Sequence, residues 1–413
     1  MLSATVIVIA LLGAKLFAQL WLEQLNAVEV RKNSGAVPPS FASTIDPPTY
    51  AKAVEYSLAK IRFGRKQLVF DGVLLGLVLL TGALPMLYEW FVGLFGAGIW
   101  SQGAYLFTVG ILLSIPSMPW DWVEQFRLEE RFGFNTSNQK TWWTDRMKGL
   151  ALSLLLGYPL LLLILKLVDW VGSAWWLWAW GAVLSFQLLM LVLAPILILP
   201  LFNKFSPLPE GSLRERLLRL GERTGFHSKT IQVMDGSKRS RHSNAFFTGF
   251  GRFRKIILFD TLISQLSEVE LEAVLAQEIG HYKKKHIPKM LLGSAVGLLI
   301  AFFVIAQLAD QSWFYGAFGF EPGSIVPALL LFALLSGTVT FWFTPLFNLL
   351  SRKFEYQADA YAAQTMSEPN SLIGALRKLN EKNLSNLTPH PLYSGFYYSH
   401  PTLLERERAL RST

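Results

Sequence analysis

The sequence predicts a mainly α, multi-pass membrane protein with seven transmembrane helices and a small α+β segment on the cytoplasmic face between the fifth and sixth. Three observations predict it: an apolar, sparsely charged composition, seven separate stretches of membrane-crossing length, and Lys and Arg residues that collect in alternate connections. Of 413 residues, 52% are hydrophobic and 16% charged, against about 25% charged in an ordinary soluble domain.

A helix rising 1.5 Å per residue needs about 20 apolar residues to cross a hydrocarbon core of about 30 Å. Stretches of that kind run from Leu2 to Leu20, Leu68 to Leu87, Gly103 to Met118, Ala151 to Leu167, Trp175 to Leu199, Leu291 to Ala309 and Ile325 to Phe347. No Lys or Arg precedes the first, and no small-x-small pattern follows it at Gln19 to Asn26. It is therefore expected to be an uncleaved anchor rather than a signal peptide. Trp120, Trp122, Trp142, Trp143, Trp175, Trp176 and Trp178 crowd span ends, where half-polar rings suit the headgroup layer.

The connection after the first span carries Arg31, Lys32, Lys52, Lys60, Arg62, Arg65 and Lys66, and that after the third carries Arg127, Arg131, Lys140, Arg146 and Lys148. By contrast, Tyr88 to Gln102, Val168 to Ala174 and Asp310 to Ser324 contain no Lys or Arg. Basic residues mark cytoplasmic loops, so the N-terminus is expected outside and the C-terminus inside. The net charge of +9 is then topology, and nucleic-acid binding is not expected of clusters that flank spans. With no cysteine, disulfides and thiolate ligands are excluded, and any metal must use His and carboxylates.

Four regions follow: residues 1–200 with spans one to five, 201–290 as a cytoplasmic segment, 291–350 with spans six and seven, and 351–413 as a cytoplasmic tail. Within the second, Ser212 to Thr224 reads as an amphipathic helix with Leu213, Leu217, Leu218 and Leu220 on one broad face. Strands are expected at Thr230 to Met234, Ser243 to Phe247 and Lys255 to Phe259, the last two joined by the Gly-rich turn Thr248 to Gly251. Ser267 with Glu270 three residues on is a capping box that opens a helix through Glu278 and His281.

That helix reads Ala276-Gln277-Glu278-Ile279-Gly280-His281, one residue away from the zincin pattern H-E-x-x-H. The pattern works because residues four apart share a helix face, so two imidazoles meet one zinc while the Glu beside the first activates water. Alone, a Glu and a His three apart are more often a solvated face. Beyond the seventh span, Arg352-Lys353-Phe354-Glu355-Tyr356-Gln357-Ala358-Asp359 places Glu355 and Asp359 one turn apart. Glu355 is a candidate third ligand, and Asp359 a candidate acceptor for the outer N–H of a ligating imidazole. The bland alternative is a charged helix paired within itself through Arg352 or Lys353; the combination with Glu278 and His281 reverses that preference.

Taken with Phe126 to Asn135, Pro200 to Phe205, Ser243 to Gly249 and Tyr398-Ser399-His400-Pro401, these motifs resemble the type 1 CAAX prenyl protease family of integral-membrane zinc metalloproteases. The resemblance implies seven helices enclosing an intramembrane chamber with a zincin-like cytoplasmic domain, and one Zn2+ per chain. It implies His281 and Glu355 as zinc ligands with Gln277 at the third ligand position, Glu278 as general base, and Asn244 and Ala245 on an edge strand that pairs with substrate. His400 is implied as donor to the oxyanion, with Arg406 supporting it. The expected partners are a peptide or protein substrate, lipidated in the family's usual case, and membrane lipids. The motif spellings point to a bacterial inner membrane. His390-Pro391 is expected to be structural and His286, beside Lys283 to Lys285, solvated.

Gln277 departs from the family pattern, and an amide oxygen is a poor zinc ligand beside imidazole and carboxylate. Three readings remain open: an engineered inactivating change, a natural pseudoenzyme, or a site that holds zinc weakly. A non-catalytic peptide-holding membrane chaperone is the alternative function. The smaller heat-shock-associated membrane proteases of the same superfamily share the metal motifs but have fewer spans.

Overall fold

The computed structural model describes residues 2–226, 230–243, 245–248, 255–366 and 370–412. Among them, five helices are long and apolar enough to cross a membrane: Ala4–Lys32, Ile99–Phe132, Gln139–Phe202, His286–Ala309 and Ile325–Thr365. Helices Pro47–Leu80 and Ala83–Phe95, bent by 55° at their junction, make a sixth if taken as one span. Gly82 sits at that bend with φ 74°, a left-handed conformation that costs glycine least.

The seven apolar stretches therefore resolve into fewer continuous helices. The fourth and fifth lie in a single helical run of 64 residues, Gln139–Phe202, because their link, Gly172–Ala174, is itself a turn of 3-10 helix. Straight, that run would measure roughly 96 Å, about three bilayer cores. Its two arms, Tyr158–Val171 and Trp175–Leu193, instead pack on each other, and Gly172 with φ 65° marks the reversal. Leu155, Phe347 and Trp90 on these helices stand more than half exposed.

On one end of the helices sits a four-stranded sheet in the order β1-β2-β4-β3. The strands β2 (Thr230–Met234) and β4 (Lys255–Phe259) match expectation, while β3 runs over Ala245–Thr248 rather than Ser243 to Phe247, taking in the first residue of the expected turn, whose Gly249 to Gly251 lie outside the described residues. Strand β1 (Phe205–Pro207) was not anticipated, since three residues carry no readable alternation. Strand β2 runs parallel to β4, whereas β1 with β2 and β3 with β4 are antiparallel. The order leaves β3 on an edge. Ile231, Ile256 and Leu258 are buried in a core shared with the neighbouring helices.

The amphipathic helix forms over Ser212–Thr224, with Leu217 and Leu220 fully buried. Leu218 is instead exposed: it lies about 100° round from Leu217, beyond the stripe that meets the core. This helix is tied to helix Glu268–Lys283 through Arg216 and Arg223, which reach Glu272 at 2.8 and 2.6 Å. Helix Glu268–Lys283 starts at the expected capping box, Ser267 N donating to Glu270 Oε2 at 2.8 Å. It packs against helix Thr344–Thr365. Gly280 permits that approach, because a Cβ there would lie 3.0 Å from both Cα and O of Ala358.

Candidate active site

The close crossing at Gly280 sets residues 277, 278 and 281 of one helix against residues 355 and 359 of the other. Glu355, only 4% exposed, is the hub. It accepts a hydrogen bond from Gln277 Nε2 at 3.0 Å on Oε2. His281 Nε2 stands 3.3 Å from its Oε1, and His400 Nδ1 3.1 Å from its Oε2. Arg406 Nη2 is 3.8 Å from the same oxygen. Glu278 is half-buried beside this cluster, and burial pushes its carboxyl up to about 7; Glu355 adds to the rise while His281, His400 and Arg406 oppose it.

His400 reaches the site from the C-terminal tail because Arg352 Nη1 donates to the carbonyls of Gly395 and Tyr398 at 3.1 and 2.7 Å. Arg352 is thus spent on the loop that carries His400, not on an intrahelical pair with Glu355. Just beyond, Thr402 caps helix Leu403–Arg411 and Arg406 on that helix turns inward. His390 is structural, as expected: its Nδ1 accepts from Leu392 N at 3.2 Å and caps helix Pro391–Tyr397.

Asp359 corrects one expectation. It is 1% exposed and grips Arg406 in bidentate fashion, from Nε at 2.8 Å and from Nη2 at 2.5 Å. The outer nitrogen of His281, Nδ1, lies instead 3.0 Å from Nδ1 of His286. His286 corrects a second: far from solvated, it is 1% exposed, with Nε2 2.9 Å from Gln357 Oε1. Sequence reasoning missed both His286 and Gln357. Ala245 lies on the edge strand β3 as expected, and Asn244 falls outside the described residues.

Residues 27–204 match the family model described as CAAX prenyl protease N-terminal, five membrane helices, and residues 207–413 match that of peptidase family M48. CAAX prenyl protease 1 of Saccharomyces cerevisiae is 36% identical over 91% of this chain and 88% of its own length. The chain belongs to the CAAX prenyl protease 1 family of M48 peptidases. The human CAAX prenyl protease 1 homolog is 29% identical, covering 93% of this chain and 90% of its own. The crystal structure of S. mikatae Ste24p superimposes with a TM-score of 0.93 at 33% identity over 98% of both chains. Family membership makes the protein a multi-pass membrane metalloprotease, with a metal cofactor that in M48 peptidases is generally zinc.

The donor set can be tested against that metal. An imidazole nitrogen and a carboxylate oxygen that share a tetrahedral zinc at 2.0–2.1 Å each stand about 3.3 Å apart. His281 Nε2 and Glu355 Oε1 have that separation. Two corners therefore fit. At the third, Gln277 turns an amide N–H toward Glu355 rather than a lone pair toward the shared centre.

Proposed function

We propose that the chain is a CAAX-type membrane endopeptidase whose hold on zinc is weakened at Gln277. One observation carries the reading: His281 and Glu355 keep the spacing of a zinc pair while the residue at the third corner donates to Glu355 at 3.0 Å. His281 and Glu355 would hold the metal, with the Gln277 oxygen a weak third donor. When bound, the metal supplies a positive charge that polarises the scissile carbonyl and acidifies the attacking water.

Glu278, raised to about 7, takes the proton from that water and returns it to the leaving amine, a role that needs a pKa near the working pH. His400 donates to the oxyanion of the tetrahedral intermediate, worth roughly 3 to 4 kcal/mol. Arg406 clamps Asp359 beneath the site and adds positive charge 3.8 Å from Glu355. The edge strand β3 from Ala245 on, with Asn244 next to it in sequence, is assigned to pair with an extended peptide backbone. Beside His400 and Arg406 opens a cavity of about 760 Å³, bounded also by Glu23, Asn26, Tyr393 and Tyr398, where the substrate's C-terminal part is placed.

The yeast and human relatives are named for CAAX prenyl processing, and we assign this chain a peptide of that class, with a lipidated C-terminal Cys motif. Counting the doubled-back run Gln139–Phe202 as two spans and the bent pair as one gives seven crossings. The basic connections support an N-terminus outside and a site on the cytoplasmic face. We assign a bacterial inner membrane from the spelling of the motifs.

The Gln277–Glu355 bond also favours a second reading, a non-catalytic protein that holds peptides along β3. Cleavage of a farnesylated CAAX peptide by the protein and its Gln277→His variant separates the two. A large gain in the variant, abolished by adding Glu278→Ala while zinc is retained, is expected. Peptide binding without cleavage in both would establish the holding function instead.

A further inference from the structure

His281 and His286 are five residues apart, and on an unbroken helix residues so spaced point about 140° away from each other. They meet because the helix breaks between them. Helix Glu268–Lys283 ends, helix His286–Ala309 begins after two intervening residues, and the second of them, Lys285, takes φ 57°, ψ 40°. A left-handed conformation is strained for a residue with a Cβ. Such strain persists only where surrounding structure enforces it, and it clusters at functional sites.

The break folds the imidazole of His286 back beneath that of His281, and three contacts fix it there. Its ring stacks on Phe354, centroids 4.2 Å apart and planes within 11°. Its Nε2 lies 2.9 Å from Gln357 Oε1 and its Nδ1 3.0 Å from Nδ1 of His281. Helix Thr344–Thr365 thus supplies the Glu355 ligand, the stacking face and the acceptor from residues 354, 355 and 357.

An amide oxygen only accepts, so His286 Nε2 carries the hydrogen that it donates to Gln357. In a neutral ring the other nitrogen is then a bare lone pair, and His286 Nδ1 accepts from His281. We propose that His286 is a positioning residue for His281: it accepts the hydrogen on His281 Nδ1 and so keeps Nε2 turned toward the metal position and toward Glu355, whose carboxylate accepts from Nε2 at 3.3 Å. A ligating imidazole in general gives its outer N–H to an acceptor that fixes ring orientation and tautomer. In this chain that acceptor is a second imidazole, delivered by a strained helix break.

The inference rests on the metal-site reading for its purpose, but the hydrogen on Nδ1 can be read without metal. Full-length, 15N-histidine-labelled protein in micelles would be compared by long-range 1H–15N NMR with two variants. His286→Phe keeps the stacked ring on Phe354 and loses both nitrogens. His286→Asn places an acceptor oxygen where Nδ1 was.

The parent and His286→Asn are expected to show a hydrogen on His281 Nδ1 that is protected from solvent exchange, and His286→Phe a hydrogen on Nε2 alone, facing Glu355. In the Gln277→His background, zinc affinity by competition with a chromophoric chelator is expected to fall about 10- to 100-fold for His286→Phe and to recover with His286→Asn. A His286→Phe protein that keeps the hydrogen on Nδ1 would overturn the inference. So would His286→Asn failing to restore it. Absence of zinc from the Gln277→His protein would defeat the metal-site reading and leave the NMR result to decide the role of His286.

Discussion

Gly280 and Ala358 touch backbone to backbone: a Cβ placed on Gly280 would lie 3.0 Å from both Cα and O of Ala358 and 3.1 Å from Cβ of Tyr361. The helix carrying Gln277, Glu278 and His281 can therefore approach the helix carrying Glu355 and Asp359 only where no side chain intervenes. The spacing of the candidate ligands depends on this contact.

Gly280→Ala is accordingly expected to destabilise. Overpacking against backbone costs typically about 1–3 kcal/mol, offset in part by the roughly 1 kcal/mol that Ala gains over Gly inside a helix. Thermal unfolding in chelator measures the net loss. In the Gln277→His background the same change should also weaken zinc binding, because His281 and Glu355 would move apart.

Asp359 and Arg406 are 1% and 8% exposed and joined by two hydrogen bonds. Removing one partner of a buried pair leaves an uncompensated charge and costs about 3–5 kcal/mol. Arg406→Leu is expected to unfold at markedly lower temperature, and Arg406→Leu with Asp359→Leu together to recover much of the loss. If the double variant were as unstable as the sum of the singles, the two residues would not be acting as a pair.

Much of this arrangement was legible in the sequence. Apolar runs announced the membrane helices, a Ser and a Glu three apart announced the start of the Glu278 helix, and one-turn spacing put Glu355 and Asp359 on one face. His286 was not legible, because helical periodicity sends it to the far side of its helix from His281 and only the left-handed Lys285 reverses that. The role of Asp359 was misjudged because its partner, Arg406, is 47 residues away. The count of spans blurred for a local reason: Gly172–Ala174 turns the chain without leaving helical geometry.

The raised carboxyl of Glu278 makes a pH prediction for the metal-free protein. Burial holds its pKa at about 7, above the ordinary value of 4.5. A carboxyl raised in the folded state binds its proton more tightly there than in the unfolded chain. Its contribution is fully present below about 4.5 and is lost as pH rises through about 7. Between those values the stability of the parent should fall relative to that of Glu278→Gln, measured by denaturant unfolding in chelator. Parallel pH profiles for the two proteins would show that Glu278 titrates at an ordinary carboxylate pKa.

Zinc content tests the role of Gln277 most directly. The full-length protein and its Gln277→His variant would be dialysed against a weak chelator and their metal measured by elemental analysis. The variant is expected to retain about one zinc per chain, as a single catalytic site requires, and the parent much less than one. Equal zinc in the two proteins would contradict the assignment of residue 277 as the weakened corner of the metal site.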